Sequence, residues 1–425
     1  MTYRIAGIDV HKKMLAVVVA DVASEGEFQF ERLTFSAAPE QLKALAQWCV
    51  EHGVQEVVME STAPYWKPVW EALERYWQPA VQKQADANSM AGCLHLAQAQ
   101  SNRARGGRKN DFGDAERLVR RHVAQELVLS FVPSAEQRLW RTVTRQKQQR
   151  VVARVRLRNQ MEAFLEEAHI KLSSLVSDLL GQSGRRMLEA LAEGKTDPAE
   201  IALLGDQRLH ATQAQLCDAL SAARELNPVY RKLLKQSLKA LRLLDEQIQE
   251  LDQEIAGLLA SHQDAVKRLS EAPGLGPDSA QQIIAELGPT AAVFPSAKAL
   301  ASWVGVCPGD DISAGEAHST KSPKGNKNMR RVLNQAAHAA IKTKGSIFEV
   351  VFQRLRRGLC YKEAIWAIAH RLCRLIWVLL RKRVPYEERG PAVSAASKRM
   401  RASRMMRELR RMGYRVDAPA EPLNA

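Results

Sequence analysis

Residues 3–22 read YRIAGIDVHKKMLAVVVADV, and this stretch decides the fold of the N-terminal part of the chain. Its residues alternate in character up to Val10 and then run apolar from Met14, as expected for two β-strands. The tight Asp-Val-His-Lys connection between them predicts the start of a β-hairpin. Gly7 lets another backbone come close just before the acid, because glycine carries no side chain. The first strand therefore delivers Asp9 at its tip.

The segments that follow predict a small mixed α/β sheet with helices on its faces. Residues 39–52 form an amphipathic pattern that Gly53 ends, and a strand over residues 54–60 follows. Residues 65–76 are helical and rich in aromatic residues, and a further strand and helix lead to the basic segment 103–109. Strands come first and then alternate with helices, which is typical of this fold class.

Four carboxylates stand at informative positions in this frame. Glu60 closes an apolar run, and Asp111 and Asp114 lie three residues apart, on one face of a helix start. Taken singly, Asp9 is a common feature of α/β proteins, Asp111 suits a helix N-cap, and Asp114 suits a solvated helix face. Brought together, four like charges need cations, and oxygen-only ligands suit Mg²⁺ or Mn²⁺. Two such ions can hold both reacting oxygens of a phosphodiester, so the pattern predicts a metal-dependent phosphodiester enzyme.

The bulk composition agrees with a polyanionic partner. The chain has 425 residues and a net charge of +15, which favours nucleic acid or an anionic surface. No apolar run reaches the roughly 18 residues that span a bilayer, and the start of the chain lacks a signal-peptide layout. The six cysteines are scattered without a C-x-x-C pair, which suits a reducing cytosol. We therefore expect a cytoplasmic protein with no membrane partner.

The middle of the chain predicts long helices. Residues 133–169 form a charged helix whose many arginines and lysines we expect to contact phosphate, the alternative being a solvated face. Short helices and connectors occupy residues 178–228. Apolar residues then recur in steps of three and four over residues 234–258, as in a coiled coil or a long helix hairpin. Packing within the chain is the alternative to self-association here.

The segment Leu269–Leu287 reads as helix, Pro-Gly-Leu-Gly-Pro turn and helix, and it resembles a helix-hairpin-helix. Gly274 and Gly276 would let backbone N–H groups face a phosphate at a helix N-terminus, unless the turn is an ordinary glycine-rich one. The tail beyond residue 385 is rich in arginine and is expected to bind nucleic-acid backbone without reading sequence.

Three N-terminal segments carry a family resemblance: GIDVHK (7–12), MESTAPYW (59–66) and KNDFGDA (109–115). They resemble the DEDD transposases of the insertion-sequence one-ten family, whose N-terminal domain is RuvC-like and of the RNase H type. Ala63 stands where the family usually has glycine, and Asn110 where it usually has threonine. Neither change removes a ligand. The resemblance implies that Asp9, Glu60, Asp111 and Asp114 bind Mg²⁺ or Mn²⁺.

A second set of residues fits the C-terminal half of the same family, which carries a nucleophilic serine. The fitting residues are Gly305, Pro308, Lys324, Gly325, Asn326, Arg330 and Arg331. The resemblance places the nucleophile on Ser313, although this chain reads Ser-Ala-Gly where the family usually has Ser-Gly, so Ser319 and Ser322 stay open as alternatives. A cluster of cations would hold the scissile phosphate: Lys321, Lys324, Lys327, Arg330 and Arg331.

We therefore expect four parts, named here by what the resemblance implies. They are a RuvC-like DEDD catalytic domain (1–130), a helical coiled-coil linker with an insertion (131–264), a mainly α-helical transposase domain with the serine and the helix-hairpin-helix (265–385), and a basic tail (386–425).

The implied function is a bacterial, nucleoid-associated DNA transposase of an insertion sequence that cuts and rejoins DNA through a serine–phosphate link. Donor and target DNA would be partners, with a non-coding bridge RNA as guide. The chain would act as a homo-oligomer, either a dimer or a tetramer of two dimers, in which the acids of one subunit meet the serine of another. The alternatives are a metal-dependent Holliday-junction nuclease without a covalent intermediate, and a non-enzymatic scaffold.

Overall fold

A computed structural model of the chain describes most of its residues, and these divide into two compact units, Met1–Ala135 and Glu136–Ala425. The described residues are 3–22, 28–61, 63–77, 94–99, 102, 110–206, 208–307, 311–313, 316–319, 322–388 and 395–415. Of these, 311–313, 316–319 and 395–401 are described by their backbone alone.

A five-stranded mixed sheet forms the centre of unit 1. Its strands are β1 (Tyr3–Val10), β2 (Met14–Val22), β3 (Phe28–Ser36), β4 (Glu56–Glu60) and β5 (Leu94–Ala97), in the order β3-β2-β1-β4-β5. β2 pairs antiparallel with β1 and with β3, so the predicted hairpin is confirmed. β4 runs parallel to β1, and β5 runs parallel to β4. This order and these directions are those of the RNase H-type sheet that the resemblance implied.

Helices cover both faces of the sheet, as predicted. On one face α1 (Pro39–Glu51) and α2 (Trp66–Tyr76) share a core with the strand residues. On the other face α3 (Asp111–Val123) buries Ala115, Leu118 and Val119 against the sheet. Both faces of β1 and β2 are thus dry, which explains their near-continuous apolar sequence.

Gly7 is the point where α3 comes closest to β1. A Cβ atom built on Gly7 would lie 2.5 Å from the carbonyl oxygen of Ala115 and 2.7 Å from Cγ2 of Val119. Both distances are below any ordinary contact, so only glycine lets the helix and the strand pack at this spacing. The close approach that we expected beside Asp9 is therefore present.

The first part of unit 2 is helical. Its α-helices are α4 (Ala135–Glu167), α5 (Gln182–Glu193), α6 (Pro198–Ala202), α7 (Gln213–Ala219) and α8 (Pro228–Leu258). One apolar core joins the end of α4, the three short helices and the start of α8. The segment 178–228 thus has a structural role that its sequence did not reveal, since it covers the beginning of α8.

That packing bears on the apolar seam of α8. Leu234, Leu238 and Leu241 are buried within the chain, whereas Leu244 and Leu251 are only half-buried. The first part of the seam therefore packs inside unit 2, and self-association through the remainder stays a prediction.

The rest of unit 2 is also mainly helical. It contains α9 (Gln263–Ser270), α10 (Pro277–Leu287), α11 (Ala297–Val304), α12 (Lys327–Ala340), α13 (Ile347–Leu355), α14 (Tyr361–Arg381) and α15 (Ala395–Arg411). A two-stranded antiparallel pair, β6 (Asp311–Ser313) and β7 (Glu316–Ser319), lies between α11 and α12 in the chain. Among the described residues, no helix is both long enough and apolar enough to cross a membrane.

Candidate active site

The sheet of unit 1 brings two of the predicted acids to one edge. Asp9 is the next-to-last residue of β1, and Glu60 is the last residue of the neighbouring parallel strand β4. Because β1 and β4 run in the same direction, their carboxyl ends meet at the same edge of the sheet. Asp111 and Asp114 lie in the first turn of α3, whose N-cap is Asn110. Asp111 is thus the first helical residue, and the alternative that it serves only as the helix N-cap is wrong.

Electrostatics shows that the four acids form one group. Asp9 is 6% exposed, so its carboxylate has lost most of its hydration. Burial raises the pKa of the Asp9 carboxyl, nearby His11 lowers it, and three further carboxylates raise it again: those of Asp114, Glu60 and Asp111. Like charges that act on one carboxyl in this way favour a bound cation, which removes the mutual repulsion.

His11 is a member of this site that the sequence analysis missed. Its Nε2 lies 3.1 Å from Oδ2 of Asp9 and 3.3 Å from Oδ1 of Asp111. The turn between β1 and β2 holds the residue in place, because the backbone N–H of His11 donates to the carbonyl of Met14 at 3.0 Å. The sequence feature that could have identified His11 is its position two residues after Asp9, within the segment GIDVHK.

Two further polar residues position the acids. Asn102 donates from Nδ2 to Oε2 of Glu60 at 2.9 Å. Arg117 donates one guanidinium N–H to Oδ1 of Asp114 and another, from Nε, to the carbonyl oxygen of Asn102 at 2.9 Å. Asn102 is 1% exposed, so Glu60 and Asp114 are linked through this buried residue and through Arg117.

The acid site fits a divalent cation. Ligand atoms of Asp9, His11 and Asp111 all lie within 4.8 Å of one another. Oδ2 of Asp9 is buried, and its contact with Nε2 of His11 at 3.1 Å is not a well-directed hydrogen bond, so this oxygen retains capacity to bind a cation. The carboxylate oxygens of Asp9 and Asp111 are ligands that Mg²⁺ and Mn²⁺ prefer, as predicted. This group contains an imidazole and does not include Glu60 or Asp114.

In unit 2, the segment with the predicted nucleophile is described in part. The backbone of Ser313 is in β6 and pairs with Glu316 of β7, while Ser319 pairs with Asp311. The side chains of Ser313 and Ser319 and the whole of Lys321 lie outside the described residues. Ser322 is described, and its Oγ accepts a hydrogen bond of 2.6 Å from Nε1 of Trp366.

The predicted cation cluster divides into two kinds of residue. Lys324 and Lys327 are exposed. Arg330 instead donates to the carbonyl oxygens of Gly305 and Pro323, and its guanidinium lies 4.6 Å from the ring centre of Trp366. Arg331 donates to the side-chain oxygens of Gln282 and Gln335. The two lysines therefore remain available for a phosphate, and the two arginines hold the segment together.

A buried glutamate that the sequence analysis missed organises the same segment. Glu286 of α10 is 2% exposed and accepts two hydrogen bonds of 2.9 Å from Arg145 of α4. Asn326 and Asn328 donate to the same carboxylate at 2.8 Å and 3.0 Å. Asn326 in turn caps α12 by accepting from the backbone N–H groups of residues 328 and 329. A single carboxylate therefore joins α4, α10 and the start of α12.

The basic face predicted for α4 is partly neutralised inside unit 2. Arg141 and Arg145 pair with Glu286, and Lys147 pairs with Asp252 and Asp278. Acids distant in sequence therefore pair with these three cations, and contact of the helix with phosphate stays a prediction.

The glycines of the α9–α10 turn have separate roles. Gly274 has a φ of +81°, and a Cβ built on it would lie 2.6 Å from the backbone nitrogen of Ala340 in α12. Gly274 is thus required for close packing of the turn on α12. Gly276 is the N-cap of α10, and its N–H donates to Oγ of Ser279 at 2.8 Å. Contact of either glycine with nucleic acid stays a prediction.

Comparisons with known proteins agree with both halves of the chain. Residues 6–170 match the DEDD model of IS110 transposases, described as "Transposase", and residues 266–352 match a second model, described as "Transposase IS116/IS110/IS902 family". The transposase for insertion sequence element IS1328 of Yersinia enterocolitica is 26% identical over 64% of this chain and 71% of its own length. A probable family 20 transposase of Pseudomonas aeruginosa is 25% identical over 66% of this chain and 74% of its own.

Among solved structures, RuvC of Thermus thermophilus matches 30% of this chain and 99% of its own, with 12% identity and a TM-score of 0.22. The two family models occupy the two halves of the chain in the order that the motifs predicted, one across the acids and one across the α9–α13 region. The chain therefore belongs to the IS116/IS110/IS902 family of transposases.

Proposed function

We propose that this chain is the DNA recombinase of an insertion sequence, and that it cuts and rejoins DNA at two separate chemical centres. The acid group of unit 1 is one centre, and Ser313 of unit 2 is the other. The observation that carries the proposal is the convergence of Asp9, Glu60 and the first turn of α3 at one edge of an RNase H-type sheet. Such a carboxylate group has little structural use without a cation and a phosphate.

At the first centre the chain itself would hold Mg²⁺ or Mn²⁺ through its four acids. When bound, the cation supplies the positive charge that stabilises a phosphodiester in its transition state. Asn102 and Arg117 keep Glu60 and Asp114 in place, and His11 does so for Asp9 and Asp111. The preformed arrangement lowers the reorganisation that the reaction would otherwise require.

At the second centre the hydroxyl oxygen of Ser313 would attack the phosphorus of a DNA strand. A bond from serine oxygen to phosphorus forms, one bond from phosphorus to a deoxyribose oxygen breaks, the serine proton leaves to a base, and the leaving oxygen gains a proton. The exposed Lys324 and Lys327 suit the contact with the scissile phosphate.

Among the competing serines, Ser322 is the weakest candidate. Its oxygen already accepts the indole N–H of Trp366 at 2.6 Å, and moving it onto a phosphate would leave that N–H without this partner. Ser313 pairs with Glu316 and Ser319 pairs with Asp311, so the two serines stand on opposite strands of the β6–β7 pair. Ser313 is the better fit to the family frame, and Ser319 is the alternative that the experiment must exclude.

The nucleic-acid partners would be donor DNA, target DNA and a structured guide RNA. A net charge of +15 and the exposed arginines of α15 support a large polyanionic partner. Base pairing by a bridge RNA would supply the sequence choice, while the protein holds the backbone. We further propose a dimer, or a tetramer of two dimers, in which the acids of one subunit act with the serine of another.

Denaturing electrophoresis after incubation with nicked DNA, copurified RNA and Mg²⁺ tests the serine chemistry. The unaltered protein should give a protease-sensitive protein–DNA adduct, and Ser313→Ala should give none. Ser322→Ala is the matched control and should retain the adduct. An adduct that survives Ser313→Ala but not Ser319→Ala moves the nucleophile to Ser319. Free cleavage without any adduct would identify a hydrolytic Holliday-junction nuclease instead.

Sequencing of the nucleic acid that copurifies with the chain tests the guide. One defined RNA with segments complementary to both ends of the donor and to the target is expected. A random sample of cellular RNA would show that the +15 charge binds any nucleic-acid backbone, and it would refute the proposal of a guide RNA.

A further inference from the structure

Unit 1 contains a second group of potential metal ligands, well away from the acid site. Glu56 begins β4, His95 is in β5, and His122 is in the last turn of α3. Four residues of β4 separate Glu56 from Glu60, which at about 3.3 Å per residue is roughly 13 Å. The two groups therefore lie toward opposite ends of the same strand.

The three side chains converge on one carboxylate oxygen. Oε2 of Glu56 lies 2.7 Å from Nε2 of His122 and 3.3 Å from Nε2 of His95. The two imidazole rings lie side by side with centres 4.4 Å apart, and one ligand atom from each residue falls within 4.8 Å of the other two. Ligand atoms that each sit about 2.0 Å from a tetrahedral Zn²⁺ are about 3.3 Å from one another, so only small side-chain shifts are needed.

Burial and hydrogen bonding support a missing partner. The side chains of His95 and His122 are 14% and 13% exposed. Nε2 of His95 is buried, and its close polar contact among the described residues is the 3.3 Å contact with Oε2 of Glu56, which is not a well-directed hydrogen bond. The carboxylate of Glu56 lies against both imidazoles, so the three side chains already face the point that a shared ion would occupy.

We propose that Glu56, His95 and His122 bind a structural transition-metal ion, with Zn²⁺ as the expected occupant. Two imidazoles and one carboxylate suit Zn²⁺ and are poorly matched to Mg²⁺, which prefers oxygen ligands. The ion would differ from that of the acid site in both place and chemistry.

The position of the three ligands assigns the ion a role. His122 comes from α3, whereas Glu56 and His95 come from the sheet, so a shared ion would fasten the end of α3 to β4 and β5. The other end of α3 carries Asp111 and Asp114. Fixing the helix at one end limits its rotation at the other, where two acids must stay aligned with Asp9. This proposal does not depend on the serine chemistry or on the RNA.

The test is a count of zinc bound to the full chain. Protein stripped with a chelator is dialysed against micromolar Zn²⁺ in excess Mg²⁺, which keeps the acid site occupied, and zinc per chain is measured by mass spectrometry. His95→Gln and His122→Gln should each lose one equivalent of zinc. Asp9→Asn should keep it. His52→Gln is the matched control, because it removes an imidazole that pairs with Glu31 at 2.9 Å elsewhere in the same unit.

Equal zinc in His95→Gln, His122→Gln and His52→Gln would overturn the proposal and leave the group as a charge cluster without metal. X-ray absorption at the zinc edge of the unaltered protein is the second measurement, and it does not depend on whether any variant folds. Two imidazole ligands and one carboxylate are expected. A spectrum of oxygen ligands alone, or the absence of retained zinc, would equally refute the site.

Discussion

Glu286→Gln should destabilise unit 2 although it changes the shape of the side chain very little. The carboxylate is 2% exposed and accepts hydrogen bonds from Arg145, Asn326 and Asn328, and Arg141 lies 3.3 Å away. An amide can accept at one atom only, so its NH₂ group would face donors, and the arginines would lose their counter-charge.

The magnitude follows from the burial of the partners. Removal of one member of a buried ion pair costs about 3–5 kcal/mol. The side chain of Arg145 is 40% exposed and can recover hydration, whereas that of Arg141 is 11% exposed and cannot. We therefore expect a loss near the lower limit, about 3 kcal/mol in the free energy of unfolding.

Urea denaturation followed by far-ultraviolet circular dichroism measures this loss in the full chain. Glu189→Gln is the matched control, because it breaks a surface pair with Arg242 whose side chains are 37% and 62% exposed. The control should lose less than about 1 kcal/mol. Equal losses in the two variants would show that the Glu286 network contributes no more than a surface pair. Covalent adduct formation should also fall in Glu286→Gln, since Asn326 sets the start of α12.

Further outcomes follow from other parts of the chain. Changing any one of the four acids to its amide should reduce DNA cleavage by about 100-fold or more, because even changes outside the ligand shell of a metal site cost about 10- to 100-fold. Nucleic-acid binding in a filter assay should persist in these variants, and the control variant Asp21→Asn should cleave normally. Leu244→Lys with Leu251→Lys should shift the chain toward monomer in light scattering, and an unchanged mass with a retained fold would place the whole seam inside the chain. Burial raises the pKa of Cys49 to about 12, so iodoacetamide at pH 8 should label the exposed Cys360 and spare Cys49, and rapid labelling of Cys49 in folded protein would contradict its burial.

Local patterns were enough to predict the framework of unit 1. The alternation in residues 3–22, the glycine after α1 and the acid closing β4 are all short-range signals, and each proved correct. The acid group was predictable because an ionised residue at the end of an apolar run has few structural explanations. His11 was missed although it stands in the same motif, since a histidine in a turn has many ordinary roles.

Long-range polar partners could not be predicted in the same way. Asn102 reaches Glu60 across 42 positions, and Glu286 reaches Arg145 across 141 positions. In sequence Glu286 is one charge on an amphipathic helix, and nothing local distinguishes it from a solvated residue. The same limit explains α4, because its sequence did not reveal that acids on α8 and α10 pair with several of its basic residues.

The contact at Gly7 has a consequence for genetics. Since even a methyl group there would collide with Ala115, Gly7→Ala must push α3 outward and carry two acids away from Asp9, with every ligand still present. A mutational screen for loss of transposition should therefore recover Gly7 together with the four acids. A search limited to residues with reactive side chains would miss it. Suppressors of such a mutation should appear at Val119, where a smaller side chain restores part of the lost room.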